Sequence, residues 1–315
     1  KRRSMASRPP IQASIGLGKP AKAANGEDKS WQSEVGVNGV SHPVGGDAED
    51  IGVYPLDNNN AQLLDLVAPL EWLNPAPEFG EELYYDLVAV GAGAGGLVSA
   101  KQSARRGAKS ALVEKHLAGG DCLNVGCVPS KALIRCARSC AEIRHAVDFG
   151  VDVMADTMVV DFGRVMQRMR ELRAKIAPAD SLAGTTGVGA ACFTGTATFT
   201  SPNTMEVKLN GGGYREIRFG KAVVATGGSA AIPPIAGLKE APYHTNVSLF
   251  NMTAMPESMV VIGAGPIGLE MAQAFALFGT KVTCVLRSSK LLPKEDPDAA
   301  ALIYERLKAD GIEFV

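Results

Sequence analysis

Two glycine-rich turns of the same spacing constrain this chain more than any other feature. Gly91, Gly93 and Gly96 form the first, and Gly263, Gly265 and Gly268 repeat it 172 positions later. Each follows a short apolar run, "DLVAV" or "SMVVI", and leads into a helix-like stretch. That context turns a common glycine pattern into a dinucleotide fingerprint. The first glycine permits the tight turn, the second lets backbone approach a pyrophosphate, and the third lets helix pack on strand. The helix then offers free N–H groups and a positive dipole end to the phosphates. An α/β chain with two dinucleotide-binding units follows.

The two units differ where their second strands end. An acid about 20 residues past the fingerprint binds ribose hydroxyls, and Glu114 stands 18 residues after Gly96. The matching position after Gly268 is Leu286, followed by Arg287. A carboxylate repels a 2′-phosphate, whereas a guanidinium pairs with one bidentately. The first unit is therefore expected to take an adenosine cofactor with a free ribose. The second is expected to prefer NADPH, with NADH less suited.

Between the fingerprints, helical tracts are expected from about Ser130 to His145 and from Asp161 to Ile176. Strand-like pieces, "ACFTGTATFTS", "TMEVKL" and "YREIRFGKAVVATGG", then suggest a β-meander inserted in the first unit. Residues 1–80 read differently. Six basic residues and no acid precede Gly26, and a Gly/Asn/Asp-rich stretch follows. Such segments bury too little apolar surface to order themselves, so a disordered leader is expected. Its basic start resembles either a transit-peptide remnant, for a plastid or mitochondrion, or an ordinary disordered tail of a cytoplasmic protein. Within it, "AQLLDLVAPLEWL", Ala61 to Leu73, has helical apolar spacing and is a candidate for docking on the folded body. Lys+Arg 32 against Asp+Glu 33 gives no basic excess for nucleic acid or membrane. No apolar run is long enough to span a bilayer. The chain begins at Lys1 and stops at "DGIEFV", and reads as a piece of a longer protein.

The stretch "GGDCLNVGCVPSK", Gly119 to Lys131, holds two of the six cysteines. A zinc site wants about four ligands with close-spaced pairs, and Cys122 and Cys127 have the wrong spacing and no matching pair elsewhere, so no metal site is assigned. The sparse cysteines suit an intracellular protein with selected reactive thiols, where a purely structural bridge would be unusual. A dithiol beside two nucleotide sites has a use: it passes two electrons to an external acceptor by thiol–disulfide exchange. Cys136, Cys140, Cys192 and Cys284 read as core.

These motifs, in the order glycine turn, Glu114, "GGDCLNVGCVPSK", "ATGG" at Ala225 to Gly228 and second glycine turn, resemble the class I FAD-dependent pyridine nucleotide–disulphide oxidoreductases. That group includes glutathione reductase, dihydrolipoyl dehydrogenase and mercuric reductase. The resemblance covers roughly Tyr84 to Val315 and implies two Rossmann-like domains: FAD-binding over 81–238, carrying the cysteine pair, and NAD(P)H-binding, truncated, over 239–315. It implies Cys122 as the thiol that exchanges with substrate and Cys127 as the one against the flavin. Lys131 is implied to lie near the flavin and to pair with Glu270, which borders the nicotinamide. Lys115, Gly120, Thr226 and Gly227, with Gly195, Thr196 and Ala197 at the adenine end, are implied FAD contacts. The implied substrate is a small disulphide or a metal ion, and the implied full-length parent is a homodimer.

Some family features are missing. The His-Pro…Glu acid–base motif belongs to a C-terminal dimerisation domain that this sequence does not contain, so the chain alone is expected to be incomplete as an enzyme. "HPVGGD", His42 to Asp47, mimics its spacing by chance. Asp121 stands where the family usually has threonine. The favoured expectation is an NADPH-dependent disulphide or metal-ion reductase. The alternatives are an NAD-dependent dihydrolipoyl dehydrogenase, opposed by Leu286–Arg287, and a nucleotide-binding fragment without turnover.

Overall fold

The computed structural model describes residues 53–78, 81–154, 157–287 and 290–315. The basic start and "HPVGGD" lie outside these residues.

A first helix, α1 (Asn58–Val67), precedes the first α/β unit, which contains β1 (Tyr84–Val90), α2 (Ala94–Arg105), β2 (Ser110–Glu114), α3 (Gly120–Asn124), α4 (Cys127–Arg144), α5 (Phe162–Asp180), α6 (Leu182–Thr186), β3 (Ala191–Ser201), β4 (Thr204–Leu209) and β5 (Tyr214–Val224). After the short α7 (Asn246–Leu249), the second unit contains β6 (Ser258–Ile262), α8 (Pro266–Phe278), β7 (Lys281–Val285), α9 (Pro297–Ala309) and β8 (Glu313–Phe314). This is the expected strand–turn–helix–strand repeat in an α/β chain.

Strand β1 is central, parallel to β2 on one side and to β5 on the other. Its near-continuous apolar run suits a strand covered on both faces. The expected meander forms, β3, β4 and β5 pairing antiparallel in sequence, and its outer strands also belong to the parallel sheet. The long strands β3 and β5 begin or end in the parallel sheet, with Glu114 opposite Thr194 and Val90 opposite Val224, and run on to flank β4 antiparallel. The five strands therefore close into a barrel. Val88, Val113, Phe193, Met205, Val207, Ile217 and Phe219 fill its inside. The second sheet is parallel, in the order β6-β7-β8.

Two boundaries depart from expectation. Helix α4 starts at Cys127 rather than near Ser130, since Pro129 falls in the first turn, where an N–H has no intrahelical partner to lose. The ordered body also reaches into the expected leader. Asp57 caps α1 by accepting from the Asn60 amide, and α1 buries Leu63 and Val67 against Leu97, Leu117 and Leu123. Beyond it, Trp72 Nε1 donates to the Cys192 carbonyl at 2.9 Å, and Asn74 Oδ1 accepts from the Thr194 amide at 2.7 Å. The helix expected within Ala61–Leu73 thus forms slightly earlier and docks on the body.

Helices α4, α5 and α8 share one core in which Leu133, Phe162, Met169, Phe275 and Phe278 are buried. Phe275 is fully buried, and truncating it to alanine should cost about 3–5 kcal/mol. This packing sets the cysteine-bearing α4 beside the helix that follows the second glycine turn. Among the described residues, no helix is long and apolar enough to cross a membrane.

Candidate functional site

The first glycine turn separates packing from ligand space. Gly91 has φ +99°, and a Cβ there would run into the Ala225 carbonyl beyond β5; a Cβ at Gly96 would overlap the Gly91 carbonyl. Both glycines are forced by the fold. At Gly93, in extended backbone at φ −77° and ψ −174° as the N-cap of α2, a Cβ would meet only Gly120 Cα, at 3.9 Å. The protein itself does not require glycine there, whereas a pyrophosphate approaching the backbone does. This open cradle at the N-terminus of a 12-residue helix fits the phosphates of a dinucleotide.

Glu114, half-buried at the end of β2, accepts from the Ala92 amide at 2.5 Å and the His116 amide at 2.7 Å, so its carboxylate also braces the turn. Thr226 and Gly227 follow β5 beside Gly91 and are exposed; Gly227 has φ +70°. Lys115 is exposed, and its carbonyl accepts from Asn210. Thr196 and Ala197 sit farther along β3, paired with Lys208 and Val207 rather than with the turn. A Cβ at Gly195 would strike the Lys208 carbonyl, so packing alone accounts for that glycine.

The cysteine turn lies directly on this cradle. Gly120 has φ +53°, and a Cβ there would come within 2.6 Å of Gly93 Cα. The Gly119 amide donates to the Ala92 carbonyl at 2.8 Å. Cys122 is half-buried on α3. Cys127 is exposed in the first turn of the 18-residue α4, at the positive end of its dipole. Both are free thiols and hydrogen-bonding neighbours. Burial first, then the hydrogen bond and charge of Cys127, push the Cys122 thiol up to about 11. Asp121 is exposed in the first turn of α3, and nothing in its surroundings explains its presence.

Lys131, one helical turn after Cys127, reaches across to α8. Its Nζ lies 2.8 Å from both carboxylate oxygens of Glu270. The pair is half-exposed and spans the two nucleotide units. In the second turn Gly263 has φ +114°, and a Cβ at Gly263 or Gly265 would meet nothing within 4 Å; one at Gly268 would press Val261 at 3.3 Å. The cradle at Gly265 is open, as at Gly93. Leu286 is half-buried and Arg287 is exposed just past β7, whose Val285 carbonyl accepts from the Gly263 amide. Arg287 thus follows two residues after the strand end to which the second turn is tied.

Cys140, Cys192 and Cys284 are buried as expected, and Cys136 is half-buried. Among the described residues, no group of three or more His, Cys, Asp or Glu is placed to hold a metal ion. The sequence reading passed over Arg173, which is buried beneath the cysteine turn and donates to the Asn124 carbonyl at 2.7 Å. A signal existed: Met166, Met169, Arg170, Arg173, Ala174 and Ala177 share the buried stripe of α5.

Residues 85–315 match the family model described as pyridine nucleotide-disulphide oxidoreductase. The chain is 36% identical over 239 residues to a mercuric reductase of Acidithiobacillus ferrooxidans, covering 75% of this chain and 43% of that protein. It is 36% identical over 242 residues to a dihydrolipoyl dehydrogenase of Acholeplasma laidlawii, covering 73% and 68%. Its fold superposes, with a TM-score of 0.62 and 29% identity over 74% of this chain and 49% of the other, on the Cu(II) complex of the HOCl-induced flavoprotein disulfide reductase RclA from Escherichia coli. The chain spans about half the length of the mercuric reductases it matches.

Proposed function

This chain belongs to the pyridine nucleotide-disulphide oxidoreductase family, and from that premise we propose that it carries an electron pair from NADPH, through FAD, to a Cys122–Cys127 disulfide and on to a disulphide or metal-ion substrate. One observation carries the reading: the cysteine turn touches the first cradle at Gly93 through Gly120, while Lys131, on the helix that Cys127 opens, pairs with Glu270 behind the second. A single short stretch thus borders both nucleotide sites.

When bound, FAD supplies the two-electron link between a nicotinamide and a disulfide. The balance is NADPH, one proton and the disulfide giving NADP+ and two thiols. Gly93 and Gly265 leave backbone N–H groups open to the two pyrophosphates, and Glu114 is placed for ribose hydroxyls. Lys131 puts a cation one helical turn from Cys127, where negative charge collects as the disulfide opens, and Glu270 fixes that ammonium in place. Cys122 is assigned to exchange with substrate. A thiol held at about 11 exchanges slowly unaided, so this assignment requires a base to take its proton. Arg287, with Leu286 in place of an acid, supports NADPH over NADH.

The dihydrolipoyl dehydrogenase reading keeps one observation in its favour, the 36% identity over 68% of the Acholeplasma laidlawii protein. Steady-state assays with the full-length protein decide. NADPH oxidation coupled to a disulphide or to Hg(II), abolished by Cys122→Ser and by Cys127→Ser, is the expected result. Undiminished turnover in either variant overturns the relay, and a strong preference for NAD+ with dihydrolipoamide favours the second reading.

A further inference from the structure

The family match begins at residue 85, yet the segment from residue 53 to residue 75 is packed on the same body. Its helix α1 reaches both ends of the turn that bears Cys122. At one end, the Ala118 amide donates to the Val67 carbonyl at 2.9 Å. At the other, Arg173 donates through Nη1 to the Asn124 carbonyl at 2.7 Å and through Nη2 to Asn60 Oδ1 at 2.6 Å. Asn60 is fully buried, and its Nδ2 donates to the Pro55 carbonyl at 2.7 Å. Asn124 closes the turn on itself, donating from Nδ2 to the carbonyls of Ala118 and Gly120. Farther out, Arg170 pairs with Asp57 at 2.6 Å, fastening the start of α1 to α5.

A guanidinium that is 1% exposed and joined to neutral acceptors is a costly thing to bury. Here it ties three elements, α1, α3 and α5, at the turn that sets where Cys122 lies. We infer that residues 53–75 form a strap that positions the redox pair, with Asn60 and Arg173 as positioning residues holding the Cys122 sulfur beside that of Cys127. The inference rests on reading the two cysteines as a redox couple. Holding two sulfurs adjacent raises their effective concentration toward each other and so stabilises the disulfide. Loosening the strap shifts the balance toward the dithiol without touching either cysteine.

The test equilibrates the full chain in buffers of reduced and oxidised dithiothreitol, where the two thiols lose two electrons and two protons to the cyclic disulfide of the reagent. Acid quenching, alkylation and mass spectrometry then read the fraction oxidised. Asn60→Ala is expected to shift the equilibrium constant about tenfold toward the dithiol, a rise of about 30 mV for a two-electron couple. Asp57→Ala, which frees the outer end of the strap, should shift it the same way by about threefold, and it decides the matter if Asn60→Ala does not fold. Wild-type equilibria in folded Asn60→Ala and Asp57→Ala overturn the inference alone. A wild-type chain that forms no Cys122–Cys127 disulfide in any buffer overturns the proposed function, and the inference with it.

Discussion

Replacing Gly93 by alanine separates a ligand cradle from a packing constraint. The residue is in extended backbone, and its added Cβ would find only Gly120 Cα, at the ordinary distance of 3.9 Å. The folded chain should lose little, about 0.5 kcal/mol from the poorer N-cap. At about 2–4 °C per kcal/mol, that lowers Tm by about 1–2 °C. The neighbouring change Gly96→Ala drives a Cβ into the Gly91 carbonyl, and overpacking of this kind costs about 3 kcal/mol, or about 6–12 °C. Binding should show the opposite order of interest. A hydrogen bond to a charged phosphate contributes about 1.5–3 kcal/mol, so a methyl that keeps the pyrophosphate off the Gly93 backbone weakens FAD binding about 10- to 150-fold. Thermal melts of the flavin-free chain and titration of flavin fluorescence measure the two quantities. If Gly93→Ala binds FAD as tightly as wild type, the turn is not a pyrophosphate cradle; a Tm loss matching that of Gly96→Ala shows that packing needs the glycine.

Lys131→Met should leave stability within about 1 kcal/mol, because the Lys131–Glu270 pair is half-exposed, while slowing NADPH-driven opening of the disulfide at least about tenfold in stopped-flow thiol trapping; an unchanged rate removes Lys131 from the relay. Arg287→Glu should move the kcat/KM ratio from NADPH toward NADH by at least about tenfold, and an unmoved ratio shows that Arg287 does not read the 2′-phosphate. In the reduced protein, alkylation of Cys122 by iodoacetamide should stay slow at pH 8 and climb toward about pH 11, since burial and the Cys127 thiol favour its neutral form. Because that folded-state value lies above the ordinary thiol range, the same group draws stability away as pH rises from about 9 to 11; a plateau in the alkylation rate near pH 8 contradicts the geometry of the pair.

The parts of the fold legible in the sequence are those with local causes. Gly91, Gly96 and Gly263 announce turns because a Cβ or an ordinary φ is barred there, and the 172-residue repeat follows from the same rule applied twice. Glu114 and Arg287 stand out by their distance to the glycines, the one ending β2 and the other lying just past β7. Closure of the barrel was not legible: it depends on β5 returning beside β1, and no local pattern fixes that pairing. Helix α4 starts three residues before the expected Ser130, because Pro129 in its first turn has no intrahelical bond to lose. Arg170 and Arg173 carry no local sign of burial as charged residues, and only their register with Met166 and Met169 on α5 places them inside. The strap was half legible, its apolar spacing showing a docking helix but not the cysteine turn as its dock.

The most direct test of the central claim asks which sulfurs receive the electrons. The FAD-loaded full-length protein, oxidised and freed of small thiols, is mixed with one equivalent of NADPH under argon, quenched with an alkylating agent and mapped by mass spectrometry. Cys122 and Cys127 are predicted to go from a disulfide to two alkylated thiols, while Cys136, Cys140, Cys192 and Cys284 label equally with and without NADPH. A Cys122–Cys127 bond that survives NADPH, or a pair already reduced before its addition, contradicts the account.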